Sequence, residues 1–283
     1  MSDNQNKDEL KWLNEEPKYG LTHAGQFHSD DVFATAFLKI LFPKIKITRA
    51  FSVPEDFDGI VYDIGFGRYD HHQADKEIRE NGVPYAAFGL LWRDFGSRVV
   101  SEREAKKFDK NFVQPLDESD NTGNYCAMAE VMANFNPSWD SEIPTESRFW
   151  DAVSIAKRFL ANYIERYNSS KRADSLVEEA MNKGDGTTLV LERHLPWKRK
   201  VCKSTYKSVI YPSNRGGYSI QIVPIAYDDN TLSANFPEEW RGKTPEELAS
   251  LSGIDGLRFC HASGFLAAAE TLEDALKVAA LVK

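Results

Sequence analysis

The stretch YGLTH (Tyr19–His23), AGQFHS (Ala24–Ser29), DDVFATAFLKILF (Asp30–Phe42) decides how this chain folds. Its first five residues are short, apolar and β-compatible, so they read as a strand. From Asp30 the apolar side chains Val32, Phe33, Ala36, Phe37, Ile40 and Leu41 recur at helical spacing, which predicts a helix over 30–42. Ser29 is the expected N-cap, acids fill the first turn, and Pro43 marks the stop. Two further strands are expected at Ile45–Arg49 and Gly59–Asp63. Strand, helix, strand in this order implies an α/β fold, a parallel sheet flanked by helices. Ligands of such sheets bind beyond the carboxyl ends of the strands, so His23 and Asp63 are expected on one rim.

Downstream, helices are expected at Ala86–Phe95, Ser101–Gln114, Tyr125–Phe135, Thr145–Tyr167 and Lys171–Asn182. Gly184-Asp185-Gly186 breaks the helical texture. Short β-like pieces then follow at Thr188–Leu191, Ser208–Tyr211 and Ser219–Val223, and a last helix at Thr271–Val282. The organisation read from this is a polar lead over 1–18, a metal-binding catalytic domain over 19–188, and a smaller α+β substrate-binding domain over 189–283. The boundary lies near 184–194, with an interdomain cleft between the two domains.

Bulk properties narrow the class. The chain has 283 residues, 42% apolar and 28% charged, with a formal net charge of −8. That balance argues against a protein that coats nucleic acid nonspecifically, yet allows a local basic groove. Cys126, Cys202 and Cys260 are far apart and form no C-x-x-C pair, as expected of reduced thiols. The N-terminus is polar and acidic, unlike a signal or transit peptide, and no apolar run approaches a membrane span. A cytoplasmic protein with no membrane partner is expected.

The chemistry concentrates in two histidine–aspartate clusters, His23/His28/Asp30/Asp31 and Asp70-His71-His72, which hold four of the chain's six histidines. Imidazole with carboxylate is a divalent-metal donor set. His23, His28 and Asp30 are candidates to hold a metal, with Asp31 pointing away or supporting them. The alternative is hydrogen-bonded histidines beside a helix N-terminus that suits acids. Asp63 is a candidate to bridge two cations; otherwise it caps a loop near Gly65 or Gly67. Asp117-Glu118-Ser119-Asp120-Asn121 reads by itself as a solvated break between two helices. No candidate ligand is a thiolate, which favours manganese and allows magnesium, cobalt or zinc. No G-x-S-x-G elbow supports a serine hydrolase.

Two basic or polar stretches of the C-terminal half are candidate substrate contacts. Arg193, His194, Lys198, Arg199, Lys200, Lys203 and Lys207, interleaved with Trp197 and Tyr206, suit phosphate contacts and base stacking on a single strand. They equally suit a solvated edge strand. In His261-Ala262-Ser263-Gly264-Phe265 the Ser-Gly turn can present backbone amides to a phosphate, or His261 can be a core residue.

His-x4-His-x-Asp, a strand-end Asp, Asp-His-His and a downstream Asp-Asn together resemble the DHH phosphoesterase superfamily. The whole chain from about residue 19 more closely resembles the MYG1 family, the UPF0160 group. Arg68–Gln73, Gly89-Leu-Leu-Trp-Arg93, Leu195-Pro-Trp-Lys198, Pro237–Gly242 and His261–Phe265 carry that likeness. It implies a phosphodiester-cleaving enzyme, with 3′-to-5′ RNA exonuclease activity in the eukaryotic relatives. By motif, His23, His28 and Asp63 would hold one metal, and Asp30, Asp63, His71 and Asp120 a second. His72 would face the scissile phosphate, Asp70 would support the site or serve as an occasional ligand, and His261, Ser263 and Gly264 would grip substrate together with Lys198 and Arg199. The organelle-targeting leader of eukaryotic relatives is missing, and the segment from Asp63 to Asp70 is shorter than in many of them; both speak against a mitochondrial role.

The function expected is a two-metal phosphodiester hydrolase acting on RNA or a short oligonucleotide, in which paired cations activate a water and neutralise phosphate charge. A phosphohydrolase of pyrophosphate or short oligonucleotides is the first alternative, and a metal-stabilised binding module without turnover the second. The sequence leaves the oligomeric state open and allows a homo-oligomer.

Overall fold

The computed structural model describes residues 10–227 and 229–282, so residues 1–9 of the expected polar lead lie outside the described residues. The described part of that lead is not loose throughout. Leu10–Leu13 form a 3-10 turn and Trp12 is buried in the first hydrophobic core. The chain divides into two compact units, 1–167 and 168–283, and the division falls inside one long helix.

In the first unit, β1 (Tyr19–His23), α1 (Ser29–Leu41), β2 (Lys46–Ala50) and β3 (Ile60–Val61) build a three-stranded parallel sheet in the order β2-β1-β3. This is the α/β arrangement read from Tyr19–Phe42, with one change at the start of α1 and one in β3. Ser29 is the first helical residue and His28 is the cap, its N–H donating to the Asp31 carboxylate at 3.1 Å. β3 is shorter than expected. After Val61 the chain keeps one ladder bond, Tyr62 N–H to the Leu21 carbonyl, and then turns so that Asp63 N–H donates to the Tyr69 carbonyl. Every residue of α1 from Ser29 to Leu38 is buried, as expected of a helix enclosed on all sides. Phe33 and Phe37 pack against Phe88 and Trp92 of α2 (Ala87–Phe95), with the Phe37 and Trp92 rings 5.0 Å apart. The same enclosure takes Asp30 and Asp31 out of water.

Then come α3 (Glu102–Phe108), a π turn (Asp109–Val113), α4 (Gln114–Thr122), α5 (Ala127–Ala133) and α6 (Thr145–Lys183). The expected polar break at Asp117–Asn121 is instead helix. Pro115 lacks an N–H and its ring crowds the preceding carbonyls, and the helix answers by widening rather than ending. The Gln114 N–H reaches back five residues to the Asp109 carbonyl, and α4 runs on until Gly123 closes it in the left-handed conformation. The two helices expected at Thr145–Tyr167 and Lys171–Asn182 are a single 39-residue helix, because Asn168-Ser169-Ser170 stays helical. No helix among the described residues is long and apolar enough to cross a membrane.

The second unit holds β4 (Thr188–Val190), α7 (Lys198–Val201), β5 (Ser208–Pro212), β6 (Tyr218–Ile222), α8 (Pro245–Ser252), β7 (Leu257–Cys260), β8 (Leu266–Ala269) and α9 (Leu272–Ala280). Its five strands form a mixed sheet in the order β4-β5-β6-β8-β7, parallel only between β4 and β5. The sheet buries Ile210, Ile220, Ile222 and Leu257 with Phe236 and Trp240.

Candidate metal centre

β1 ends on His23, α1 begins beside His28 and carries Asp30 and Asp31 in its first turn, and Asp63 lies two residues beyond β3. His71 and His72 lie in the loop beyond, and Asp120 sits in the last turn of α4. These elements deliver their donors to one place. The His23 Nε2 is 3.2 Å from Asp31 Oδ2 and 3.2 Å from Asp63 Oδ2. The His71 Nε2 is 3.1 Å from Asp63 Oδ1, 3.2 Å from Asp120 Oδ2 and 3.6 Å from Asp30 Oδ2. The His28 Nδ1 is 3.8 Å from Asp120 Oδ1. Asp63 therefore offers one carboxylate oxygen to each of two imidazoles. Among the described residues, three groups have donor atoms close enough to share an ion: His23/Asp31/Asp63, Asp63/His71/His72 and His28/Asp30/Asp120.

Asp31 belongs to the cluster. It does not point away from His23, and the short spacing to Asp30 concealed this. Buried helix-start acids and solvated ones share one sequence pattern, and only the enclosure of α1 separates them. Asp30 is fully buried, with Oδ2 accepting from the Ala87 N–H at 3.3 Å and Oδ1 buried without a hydrogen-bond partner. An orphaned carboxylate oxygen among other acids is costly unless a cation faces it. Oxygen and imidazole donors around that orphan fit a hard divalent ion.

The electrostatics agree with that fit. Burial pushes the Asp30 carboxyl well above its usual range, and the nearby Asp120, Asp63 and Asp31 carboxylates push it further. Asp31 is raised by burial too, against the pull of His23. Burial would lower His23, but Asp31 and Asp63 override it and hold the imidazole at about 10. His71 is likewise raised, burial being outweighed by Asp63. Burial would raise Asp63, yet its two imidazoles bring it to about 2. In the ion-free protein, a protonated His23 balances the carboxylates beside it as a cation would.

Arg49 and Asn121, outside the expected set, and Asp70, within it, hold this geometry. The Arg49 side chain is buried, its guanidinium donating to the carbonyls of His23 (3.1 Å) and Gly25 (2.8 Å) while lying over the Phe149 ring. Asn121 Oδ1 is 3.4 Å from His71 Nδ1 and accepts from Lys76 Nζ at 2.9 Å, so it meets the ring nitrogen that faces away from the cluster. Asp70 is buried and its oxygens accept from the N–H groups of Phe66, His71 and His72, with His72 Nδ1 at 2.7 Å. It holds the loop and the His72 ring, and contributes to none of the three donor groups. Asp63 and Phe66 are the only non-glycine residues among the described residues with positive φ, 54° and 59°. Such backbone costs about 1–3 kcal/mol each and persists where the surroundings fix it.

The candidate substrate residues of the C-terminal half all lie in the second unit. Lys198 and Ser263 line one cavity of about 370 Å³ with Gln221 and Phe265. The backbone amides of the Ser-Gly turn are already used: Ser263 N–H donates to His261 Nδ1 at 3.1 Å, and Gly264 N–H to the His261 carbonyl at 2.8 Å. Arg199 is ion-paired to Asp174, and Lys200 to Glu178. Trp197 (2% exposed) and Tyr206 are packed into a core with Val177 and Leu189, so neither presents a face for stacking a base. The basic run contains the short helix α7 in place of an edge strand.

Carboxylates and imidazoles converging at the carboxyl ends of parallel strands define an α/β protein with His/Asp clusters able to hold a metal ion. The MYG1 family model, described as "Uncharacterised protein family (UPF0160)", matches residues 21–282, and the chain belongs to that family. A protein named MYG1 exonuclease from Bos taurus is 30% identical, covering 93% of this chain and 84% of its own length. A MYG1 protein from Dictyostelium discoideum is 28% identical over 91% of this chain and 94% of itself, and one from Chlamydia pneumoniae 28% over 87% and 89%. No solved structure matches the chain.

Proposed function

We propose that this chain is a divalent-metal-dependent phosphodiester hydrolase with a DHH phosphoesterase-like catalytic domain. Its substrate is RNA or a short oligonucleotide, cleaved as a 3′-to-5′ exonuclease. The observation that carries the reading is Asp63, whose two oxygens face two separate imidazoles at 3.2 and 3.1 Å. The exonuclease names of mammalian relatives support the reaction class.

His23 and Asp31 with one oxygen of Asp63 would hold one ion, and His71, Asp120, Asp30 and the other oxygen a second. His28, next to Asp120, would serve the same side. Bound divalent ions supply an acidic water and charge neutralisation at the phosphate. The chain's own residues do the rest. Asp70 fixes His72 through Nδ1, leaving Nε2 to meet a phosphate oxygen, and His72 is the group that carries charge or a proton at the scissile phosphate. Asn121 and Arg49 keep the His71 ring and the His23 loop from drifting. In the second unit Lys198, which lines a cavity with Ser263, is a cation that would contact a phosphate. Manganese is the favoured ion.

The test compares wild type with Asp63→Ala and His71→Ala, assayed with manganese on labelled RNA and on pyrophosphate. Cleavage of RNA by wild type alone is expected. Unchanged hydrolysis in both variants would overturn the metal centre. Cleavage of pyrophosphate and not RNA would reassign the substrate, and no wild-type turnover with any divalent ion would favour a binding module.

A further inference from the structure

The rings that the sequence offered for base stacking, Trp197 and Tyr206, are buried, yet two other aromatic side chains stand in water beside the metal centre. Phe66 is 69% exposed and lines a cavity of about 390 Å³ with Asp63, Gly65 and Ile64. Tyr125 is 82% exposed and lines a second cavity of about 660 Å³ with Lys76, Asn124 and His71. His28 and His72 line both cavities, so the two meet at His72, which the proposed function places at the phosphate, and at His28, which it places beside the second ion. Both volumes lie in the range of small-molecule sites.

An exposed phenylalanine is ordinarily a neutral surface accident, but Phe66 is built into place. Its backbone holds φ at 59°, and its N–H is tied at 2.7 Å to Asp70 Oδ2, the carboxylate that also positions His72. Gly65 at φ 90° is packed so closely that a Cβ there would come within 2.8 Å of Val53 Cγ2. The loop thus fixes the bridging carboxylate, the His72 ring and an unburied aromatic face through one set of contacts. The second cavity is lined by a cation as well as a ring, since Lys76, its Nζ anchored on Asn121 Oδ1 at 2.9 Å, lines it with Tyr125. An aromatic face and an ammonium in one cavity are the equipment for one nucleotide, base and phosphate together.

We infer that Phe66 and Tyr125 are base-stacking platforms, one in each cavity, that hold the two nucleosides on either side of the scissile phosphate of a single-stranded oligonucleotide. The inference rests on the phosphodiesterase reading above and adds a base-dependent grip that requires unpaired bases without reading their sequence. Stacking on a ring is tolerant of base identity because every base offers a π face.

The probe is a 2-aminopurine dinucleotide whose bridging ester oxygen is replaced by a methylene, titrated into the full chain with magnesium and followed by fluorescence. A doubly abasic analogue competes against it. Wild type is expected to quench the probe and to prefer it over the abasic analogue. Phe66→Ala and Tyr125→Ala should each weaken probe binding about ten-fold, with abasic binding unchanged, and Phe66→Trp and Tyr125→Phe should restore it. Phe66→Leu, which keeps apolar bulk without a π face, should behave like the alanine variant. Equal losses for probe and abasic analogue, no loss in either variant, or no quenching by wild type would overturn the inference. A separate manganese assay on bis(p-nitrophenyl) phosphate, which has no base, reports on phosphodiester hydrolysis itself, so failure of that activity is distinguished from failure of the stacking sites.

Discussion

Asp63 and His71 meet carboxylate oxygen to ring nitrogen at 3.1 Å, while the other oxygen of Asp63 is turned to His23 at 3.2 Å. A single side chain on a left-handed backbone thus joins two donor groups. Asp63→Asn tests the charge without the strain, because asparagine tolerates that conformation. The variant should fold with an unchanged far-UV spectrum and bind manganese at least about 100-fold more weakly by calorimetry. Its phosphodiesterase rate should fall in parallel.

The raised His23 imidazole gives metal binding a definite pH dependence. The group binds a proton more tightly in the folded, ion-free protein than when unfolded. Its contribution to ion-free stability is therefore fully present below 6.5 and is lost as pH rises through about 10. A metal must displace that proton, so affinity should rise with pH across the same window and binding should release protons. Calorimetry in buffers of different ionisation enthalpy measures the release; affinity that falls with rising pH would contradict the assignment of His23.

Asp70→Asn should separate positioning from metal binding. Its oxygens hold Phe66, His71 and His72 and belong to none of the three donor groups. Metal stoichiometry should stay at the wild-type value while kcat drops about 10–100-fold. Loss of the metal together with the rate would make Asp70 a ligand.

Gly89 on α2 lies where a Cβ would come within 1.8 Å of Asp117 Oδ2 and 2.7 Å of Arg79 Nη2. Those two side chains form a buried ion pair at 2.7 Å. Gly89→Ala should force the pair apart and destabilise the first unit by about 3 kcal/mol, read as a lowered denaturation midpoint.

Trp197→Ala distinguishes core from interface in the basic run. Packed with Val177 and Leu189, this ring should cost about 3–5 kcal/mol of stability when removed. A variant that kept wild-type stability and lost only RNA affinity would restore the stacking role the sequence suggested.

The sequence made the centre legible because its signals were local. A strand ending in His23, a helix opening on Asp30 and an Asp-His-His run all announce themselves within a few residues. What escaped it depended on distance. Asp31 looked like an ordinary helix-start acid, since only the burial of α1 on every side makes it a buried donor. Asp120 looked like loop because Pro115 normally ends a helix, and the π turn that keeps α4 going has no sequence signature. Asn168-Ser169-Ser170 looked like a break because weak helix formers lose only fractions of a kcal/mol, which the flanking turns of α6 outweigh. Arg49 reaches His23 across the sheet from β2, a contact no spacing rule reveals. Phe66 and Tyr125 were invisible for the opposite reason: exposure is the absence of packing, and composition does not announce it.

Anomalous scattering from crystals grown with manganese tests the bridging role of Asp63 most directly. Two peaks about 3.5–4 Å apart, one on each oxygen of Asp63, with His23 and Asp31 on one side and His71 and Asp120 on the other, are the expected result. A single peak that leaves one Asp63 oxygen uncoordinated, or peaks placed away from Asp63, would contradict it.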